Sequence, residues 1–154
     1  MTLYFAYGVN MDRAGMARRC PGAVAHGPAM LVGFRFFVMR EGYASVMRAP
    51  GEIVHGVLWR IGLRDLAALN AFESLDSGLY RRAMLPVRAN GGRMNALIYI
   101  GRRRKKGRPQ PGYLEEVVGA ARGWNFPRAY INALERLASG GFRGVRAVQT
   151  GETG

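Results

Sequence analysis

The sequence of 154 residues contains one cysteine, Cys20, and two histidines, His26 and His55. A lone cysteine cannot form a disulfide within the chain, which fits a reducing cytoplasm. Three such side chains in the whole sequence are too few for a standard Cys/His zinc site, so we expect no metal. His55 lies inside a strand-like run, and we interpret it as a structural histidine.

Long apolar runs are also missing from the sequence. No run approaches the roughly 20 residues that a membrane span needs, and the N-terminus lacks the basic start of a signal peptide. We therefore expect a cytoplasmic protein with no membrane partner. The length fits one domain, and a hydrophobic content of 49% is enough for a core. We expect this domain to span residues 1–138, followed by a loosely held tail over 139–154.

Acidic residues are scarce: 10 stand against 23 basic residues, which gives a net charge of +13. Such an excess attracts nucleic acid or another polyanion without identifying one. The basic run Gly101–Arg108 holds six of the positive charges and no aromatic residue on which a base could stack. We therefore interpret the run as a mobile, solvated surface loop outside any reaction site, and a polyanionic partner is left open.

The N-terminal stretch changes from one periodicity to another at Gly8. Residues Thr2–Tyr7 are β-branched, aromatic or aliphatic, as in a buried strand, whereas Asn10–Arg19 has helical periodicity. Either Asn10 or Asp12 could cap this helix. A strand, a Gly turn and a helix start bring several backbone N–H groups together, which suits a carboxylate or phosphate. An ordinary turn between strand and helix accounts for the same pattern.

Further strands are predicted by β-branched and aromatic composition. They cover Ala29–Met39, Tyr43–Arg48, Glu52–Ile61, Tyr80–Val87 and Met94–Ile100. Gly33 predicts a bulge or bend in the first of these, and Ala49–Gly51 predicts a turn after the second. Asn90-Gly91-Gly92 is typical of a hairpin turn, and Pro86 places its strand at an edge or an interruption.

Helices are predicted over Leu63–Phe72 and Tyr113–Arg122, and a last one opens at Asn125-Phe126-Pro127 and ends at Ser139-Gly140-Gly141. Strands with helices between them, and without regular βαβ alternation, indicate the α+β class. Because glycines bend the strands, we expect a curled sheet or a small mixed β-barrel with helices packed around it.

One acidic residue, Glu73, falls on an apolar helix face. Leu63, Leu66 and Leu69 form a single stripe at 100° per residue, and one residue beyond Phe72 the helix would place Glu73 roughly 20° from Leu66. Carboxylates are rarely buried without a partner. Either the helix ends first and Glu73 turns to solvent, or this carboxyl is half-buried for a reason.

Four segments, in order, resemble the γ-glutamyl cyclotransferase family. YFAYGVNM at Tyr4–Met11 resembles its opening signature Tyr-Phe-Ala-Tyr-Gly-Ser-Asn, and PGEIVHGVLW at Pro50–Trp59 is similar to its Pro-Gly-x-x-Val-x-Gly-Val-x-Trp strand. LNAFESLDSGLY at Leu69–Tyr80 is similar to its Leu-Asp-x-x-Glu-Gly-x-x-x-Gly-x-Tyr segment. Pro111, Tyr113, Gly119-Ala120, Pro127 and Tyr130 match its C-terminal helical pair. The resemblance runs from about Leu3 to Leu137.

The resemblance implies a cyclotransferase barrel that needs no cofactor. Such enzymes use the α-amine of a γ-glutamyl substrate to attack its own γ-carbonyl, which releases 5-oxoproline and an amino acid or amine. Glu73 matches the family's catalytic glutamate. The substrate-binding residues implied are Tyr7, Gly8, Val9, Asn10, Tyr80 and Tyr113. For the last two tyrosines, a place half in the core is an equally good interpretation.

Two departures from the family pattern affect the choice of substrate. Val9 replaces a serine, so it keeps a backbone donor and loses a hydroxyl, and a β-branched residue also disfavours left-handed turn geometry. Ser74 replaces the glycine after the catalytic glutamate. We therefore hold three hypotheses: a cyclotransferase for γ-glutamyl amino acids, one for γ-glutamylamines, and a non-catalytic basic module that binds an anionic partner.

Overall fold

The computed structural model describes residues 1–73 and 77–139. Within them lie five strands, a short 3₁₀ turn and four helices. In chain order these are β1 (Thr2–Ala6), the 3₁₀ turn (Val9–Met11), α1 (Arg13–Arg19), β2 (Val24–Val38), β3 (Ala44–Ile61), α2 (Leu63–Phe72), β4 (Tyr80–Ala89), β5 (Gly92–Gly101), α3 (Tyr113–Gly123) and α4 (Arg128–Ala138).

The strands form a closed barrel in the order β1-β3-β2-β4-β5. Neighbours are antiparallel except at the seam, where β1 and β5 run parallel and pair through Tyr4 and Leu97. Consecutive residues of β5, Ala96–Ile100, are all buried, so both faces of this strand are covered. The prediction of an α+β barrel is confirmed.

The predicted break between two strands at Ala49–Gly51 is wrong. The chain continues through it as one 18-residue strand, β3. The register with β2 passes from Phe34↔Arg48 to Val32↔Ile53, with the extra residues of β3 opposite Gly33. Gly33 and Gly51 both have φ of +85°, a left-handed conformation that glycine adopts without strain. This bulge bends both strands without ending the ladder, so the predicted bend at Gly33 is confirmed.

The β4–β5 hairpin closes at Asn90 and Gly91, whose φ values of 51° and 75° match a type I′ turn. The predicted hairpin is confirmed. On its other side β4 pairs with β2 only through Arg88 and Met30. Pro86 therefore lies on an edge that has almost no ladder, as its missing N–H requires.

Helix α2 has the predicted bounds but a different buried face. Leu63, expected on the apolar stripe, is 86% exposed, whereas Asp65 and Leu69 are buried. Asp65 and Leu69 lie four residues apart on one helix face, and Glu73, four residues further on, is half-buried. Glu73 is the C-cap, and its N–H donates to Leu69 O at 2.8 Å. The helix thus points its last carboxyl back toward the barrel.

Helices α3 and α4 cover the outside of β3. Trp124 packs edge-on against Trp59, and His55 contacts the rings of Phe126 and Tyr130. His55 is therefore a packing residue, in line with its interpretation as a structural histidine. None of the helices in the described ranges is long and apolar enough to cross a membrane.

The basic run is exposed over Arg102–Lys106. Backbone hydrogen bonds hold it: Arg40 N–H donates to Lys105 O at 2.8 Å and Gly107 N–H donates to Val38 O at 3.0 Å. The predicted surface position of the basic run is thus confirmed. We expected the run to be mobile, but these two backbone hydrogen bonds hold it against the segment Val38–Arg40. Ser74, residues 140 and 141 of the predicted helix end, and the remaining tail lie outside the described residues.

Candidate active site

A narrow cavity of about 30 Å³ lies where β1 leads into the 3₁₀ turn. Its wall gathers six of the seven residues that the resemblance singled out, from three separate parts of the chain. The lining residues are Tyr4, Phe5, Tyr7, Gly8, Val9, Asn10, Ala44, Glu73, Tyr80 and Tyr99. The seventh, Tyr113, lies directly behind Gly8 and not in this wall.

The turn after β1 is fixed by contacts on both of its sides. Tyr7 Oη donates to Tyr99 O at 2.5 Å, which ties the end of β1 to β5. A Cβ atom built on Gly8 would lie 2.9 Å from Tyr113 Oη, so glycine permits this close approach. Asp12 caps α1 by accepting from Gly15 N at 2.7 Å, which decides between the two predicted caps.

Val9 begins the 3₁₀ turn and lines the cavity. Among the described non-glycine residues only Asn90 and Asn125 have positive φ, so the anticipated clash of Val9 with a left-handed turn does not arise. The first N–H groups of such a helix have no acceptor within it. The change from serine to valine therefore leaves a backbone donor at the cavity and removes only the hydroxyl.

A chain of polar contacts leads from the interior to Glu73. The buried Asn10 uses its Nδ2 to donate to Tyr4 Oη at 3.0 Å and, over a longer 3.5 Å, to Glu73 Oε1. Its Oδ1 accepts from Arg19 Nε at 2.7 Å. Because Arg19 fixes the amide of Asn10, the NH₂ group is the end that faces the carboxyl.

Burial raises the pKa of Glu73 from 4.5 to about 7, against the opposing effect of the Arg19 guanidinium. Desolvation is the larger of the two because the carboxyl lies among tyrosine rings in the cavity wall. A carboxyl with a pKa near neutrality exists in both protonation states at neutral pH. It can therefore take up a proton and return it, as a general acid and base must.

Tyr80 and Tyr113 converge on Ala44 at the start of β3. Tyr80 Oη donates to Ala44 O at 2.6 Å, and Tyr113 Oη accepts from Ala44 N at 3.1 Å. Burial raises the pKa of both phenols well above the ordinary value, so both stay protonated at neutral pH. Only Tyr80 is on the cavity surface. A substrate contact for either tyrosine stays a prediction.

The candidate site also contains residues that the sequence did not indicate. Tyr99, from β5, packs edge-on against Tyr4 with ring centroids 5.8 Å apart and donates its hydroxyl to Asn70 Oδ1 at 2.6 Å. Ala44 also lines the cavity, and a Cβ atom built on Gly8 would lie 3.9 Å from Ala44 Cβ. Tyr4 lies within the signature, but its place in a strand accounts for it in the sequence. Nothing local marks Tyr99, because only the closure of β5 onto β1 brings it to the cavity.

Comparisons with known proteins bear on the family to which the chain belongs. A family model described as γ-glutamyl cyclotransferase, AIG2-like, matches residues 4–116. A solved structure named γ-glutamyl cyclotransferase is 26% identical, with a TM-score of 0.80, and the match covers 87% of this chain and 86% of that one. YkqA from Bacillus subtilis is also 26% identical, with a TM-score of 0.77, and the match covers 90% of this chain and 54% of that one.

An uncharacterised protein from Homo sapiens gives the same values as the first structure: 26% identity, a TM-score of 0.80, and coverage of 87% and 86%. No curated protein sequence shows significant similarity to the chain. The family model spans well over half of the residues, and its range includes the 3₁₀ turn, Glu73 and Tyr80. The chain therefore belongs to the AIG2-like γ-glutamyl cyclotransferase family.

Proposed function

We propose that the protein is a γ-glutamyl cyclotransferase that releases 5-oxoproline from a γ-glutamyl amide. The observation that carries the proposal is the carboxyl of Glu73, which has a pKa of about 7 in the cavity that the family signature lines. The substrate supplies its own nucleophile. The protein must fold the γ-glutamyl chain and move one proton.

The reaction forms one C–N bond and breaks another. The α-amine nitrogen attacks the γ-carbonyl carbon, and the bond from this carbon to the leaving nitrogen breaks. One proton passes from the attacking nitrogen to the leaving nitrogen. Glu73 accepts this proton in its ionised form and then donates it, so the enzyme returns to its starting state without a cofactor.

Positioning supplies much of the remaining rate. An intramolecular attack gains from a bound conformation that holds the amine near the carbonyl. The cavity of about 30 Å³ is too small for a whole γ-glutamyl group, so the substrate must also occupy its mouth. In this arrangement the backbone N–H groups of the Gly8–Asn10 turn donate hydrogen bonds either to the α-carboxylate or to the oxyanion that develops on the γ-carbonyl.

A substrate panel tests this proposal. Purified protein is incubated with γ-glutamyl dipeptides and with γ-glutamyl-alkylamines, and 5-oxoproline is measured. Turnover of the dipeptides supports the leading hypothesis, and preference for the alkylamines assigns the activity to γ-glutamylamines. Absence of 5-oxoproline from every substrate, with the protein folded, would contradict the proposal and favour a non-catalytic basic binding module.

A second expected result concerns Arg19, which contacts Asn10 and holds the pKa of Glu73 below the value that burial alone would give. Arg19→Gln removes this positive charge, so the pKa of Glu73 should rise further. The acid limb of kcat/KM should then move to higher pH, by on the order of one unit. The measurement is the pH profile of 5-oxoproline release.

Arg19→Lys serves as the matched control because it keeps the charge while losing the guanidinium geometry. Its acid limb should stay closer to the wild-type position. If Arg19→Gln lowered kcat at every pH but left the limb in place, Arg19 would act only by holding Asn10. Its electrostatic effect on Glu73 would then be ruled out.

A further inference from the structure

A second and larger cavity lies on another part of the barrel. β2 and β4 pair in the ladder only at Met30 and Arg88, and a groove of about 430 Å³ is lined by residues of these strands and of β3 and β5. Its volume falls in the range typical of small-molecule sites. None of its lining residues lines the Glu73 cavity.

Four arginines line this groove. Arg48 comes from β3, Arg81 from β4, and Arg102 and Arg104 from the segment after β5. No aspartate or glutamate is among the lining residues. In the part of the chain that the structure describes, none of the four is in an ion pair, whereas the intervening Arg103 pairs with Glu41 at 3.1 Å. Within residues 1–73 and 77–139, no ion pair therefore compensates the positive charge of the groove.

Apart from the arginines and Gly101, the residues that line the groove are apolar, and we call them its floor. They are Phe34, Phe37, Val46, Met47, Ala83, Leu85 and Ile100. The Arg48 guanidinium carbon lies 5.2 Å from the centre of the Phe34 ring, close enough for a cation–π interaction. This contact orients one guanidinium before any ligand arrives. Like charges around one groove repel each other, and an anion between them relieves that repulsion.

We propose that this groove, which we call the arginine groove, binds a small anion with at least two negative charges, of the organic phosphate or polycarboxylate class. Guanidinium groups match the oxygens of phosphate and carboxylate through paired hydrogen bonds. The apolar floor suits the carbon skeleton of such a ligand. Phe34 and Phe37 are only 9% and 4% exposed, so neither offers a free ring face for stacked bases of single-stranded nucleic acid.

Calorimetric titration of the full chain tests the proposal, with pyrophosphate and citrate as probes at near-physiological salt. The groove variant replaces four arginines by glutamine: Arg48→Gln, Arg81→Gln, Arg102→Gln and Arg104→Gln. A control variant removes the same number of exposed arginines elsewhere: Arg18→Gln, Arg60→Gln, Arg64→Gln and Arg93→Gln.

We expect at least one of the two probes to bind the wild type and to lose about tenfold or more in affinity in the groove variant. The affinity of the control variant for the probe should change by no more than about twofold to threefold, since its four substituted arginines do not line the groove. Equal losses in the two variants would overturn the proposal, because they would show attraction to the general charge. Failure of both probes to bind the wild type would also overturn it.

Replacing the four groove arginines by lysine keeps the test decisive if the glutamine variant does not fold. Lysine preserves the charge but cannot form paired hydrogen bonds. Weaker binding in the lysine variant supports the arginine groove, and unchanged binding contradicts it. A single-stranded oligonucleotide is titrated in parallel. If it bound while both small anions did not, a nucleic acid would be the occupant and the proposal would be wrong.

Discussion

Glu73→Gln should slow 5-oxoproline release by on the order of 10²–10⁴. Glutamine keeps the size of the side chain and its contact with Asn10, but it cannot accept a proton. The 3₁₀ turn is unchanged, so KM should move much less than kcat. In the wild type, kcat/KM should fall toward acid pH as Glu73, with its pKa of about 7, and the substrate amine become protonated.

Exposed Glu115 of α3 provides the matched control for this experiment. Glu115→Gln removes one exposed carboxylate that does not line the cavity and should leave kcat within about twofold. Glu73→Gln retaining more than roughly a tenth of the wild-type kcat would remove Glu73 from the mechanism, because even the low end of general acid–base catalysis is larger. If Glu73→Gln raised KM and left kcat unchanged, Glu73 would instead be a residue that binds substrate.

The placement of Glu73 was only partly predictable from local periodicity. Helical spacing put its carboxyl roughly 20° from Leu66 but left open whether the side chain turns to solvent. In the structure Glu73 follows α2 as its C-cap, is half-buried, and lies four residues beyond the buried Leu69. The face itself was misjudged: the helix buries Asp65 and exposes Leu63. Composition favours leucine in the core, but here the segment Cys20–Gly22 covers Asp65. Cys20 Sγ donates to the backbone O of Asp65 at 3.7 Å, and a Cβ atom built on Gly22 would lie 2.9 Å from Asp65 Oδ2.

The pairing of β1 with β5 could not be predicted from the local sequence of either strand. Residues on β1 and β5 meet because Tyr4 pairs with Leu97, more than 90 positions away, and this pairing brings Tyr99 to the cavity. Short turns such as Asn90-Gly91 can be identified from their own residues, since their φ values restrict the choice of amino acid. The arginine groove has no local signature either, since its lining residues come from four strands and the segment after β5.

The continuity of β3 shows how a local rule can be overridden. Pro50 and Gly51 are typical of a turn, yet the ladder to β2 resumes at Ile53. Flanking pairs such as Phe36↔Val46 and Leu31↔Val54 join buried side chains on both sides of the bulge. Burying these residues stabilises the long strand by more than a short irregularity costs. A turn signal inside a strongly apolar pair of strands therefore predicts a bulge as readily as a break.

Glu73→Gln should also change how stability depends on pH. Burial raises the pKa of Glu73 from 4.5 to about 7, so the folded protein holds this proton more tightly than the unfolded chain. Its stabilising effect is complete below pH 4.5 and is lost as pH rises through 7, by at most about 3 kcal/mol. Glutamine does not titrate, so the variant should gain stability relative to wild type across this interval.

Urea unfolding of both proteins at pH 5 and pH 8 measures this difference. The free energy of unfolding of Glu73→Gln minus that of the wild type should be larger at pH 8, while the same difference for Glu115→Gln should barely change. A constant difference for Glu73→Gln would mean that its carboxyl is hydrated in the folded state. Glu73→Gln is expected to show both slow turnover and a stability difference that grows with pH, and Glu115→Gln to show neither. This combination would assign the lost activity to the desolvated carboxyl of Glu73.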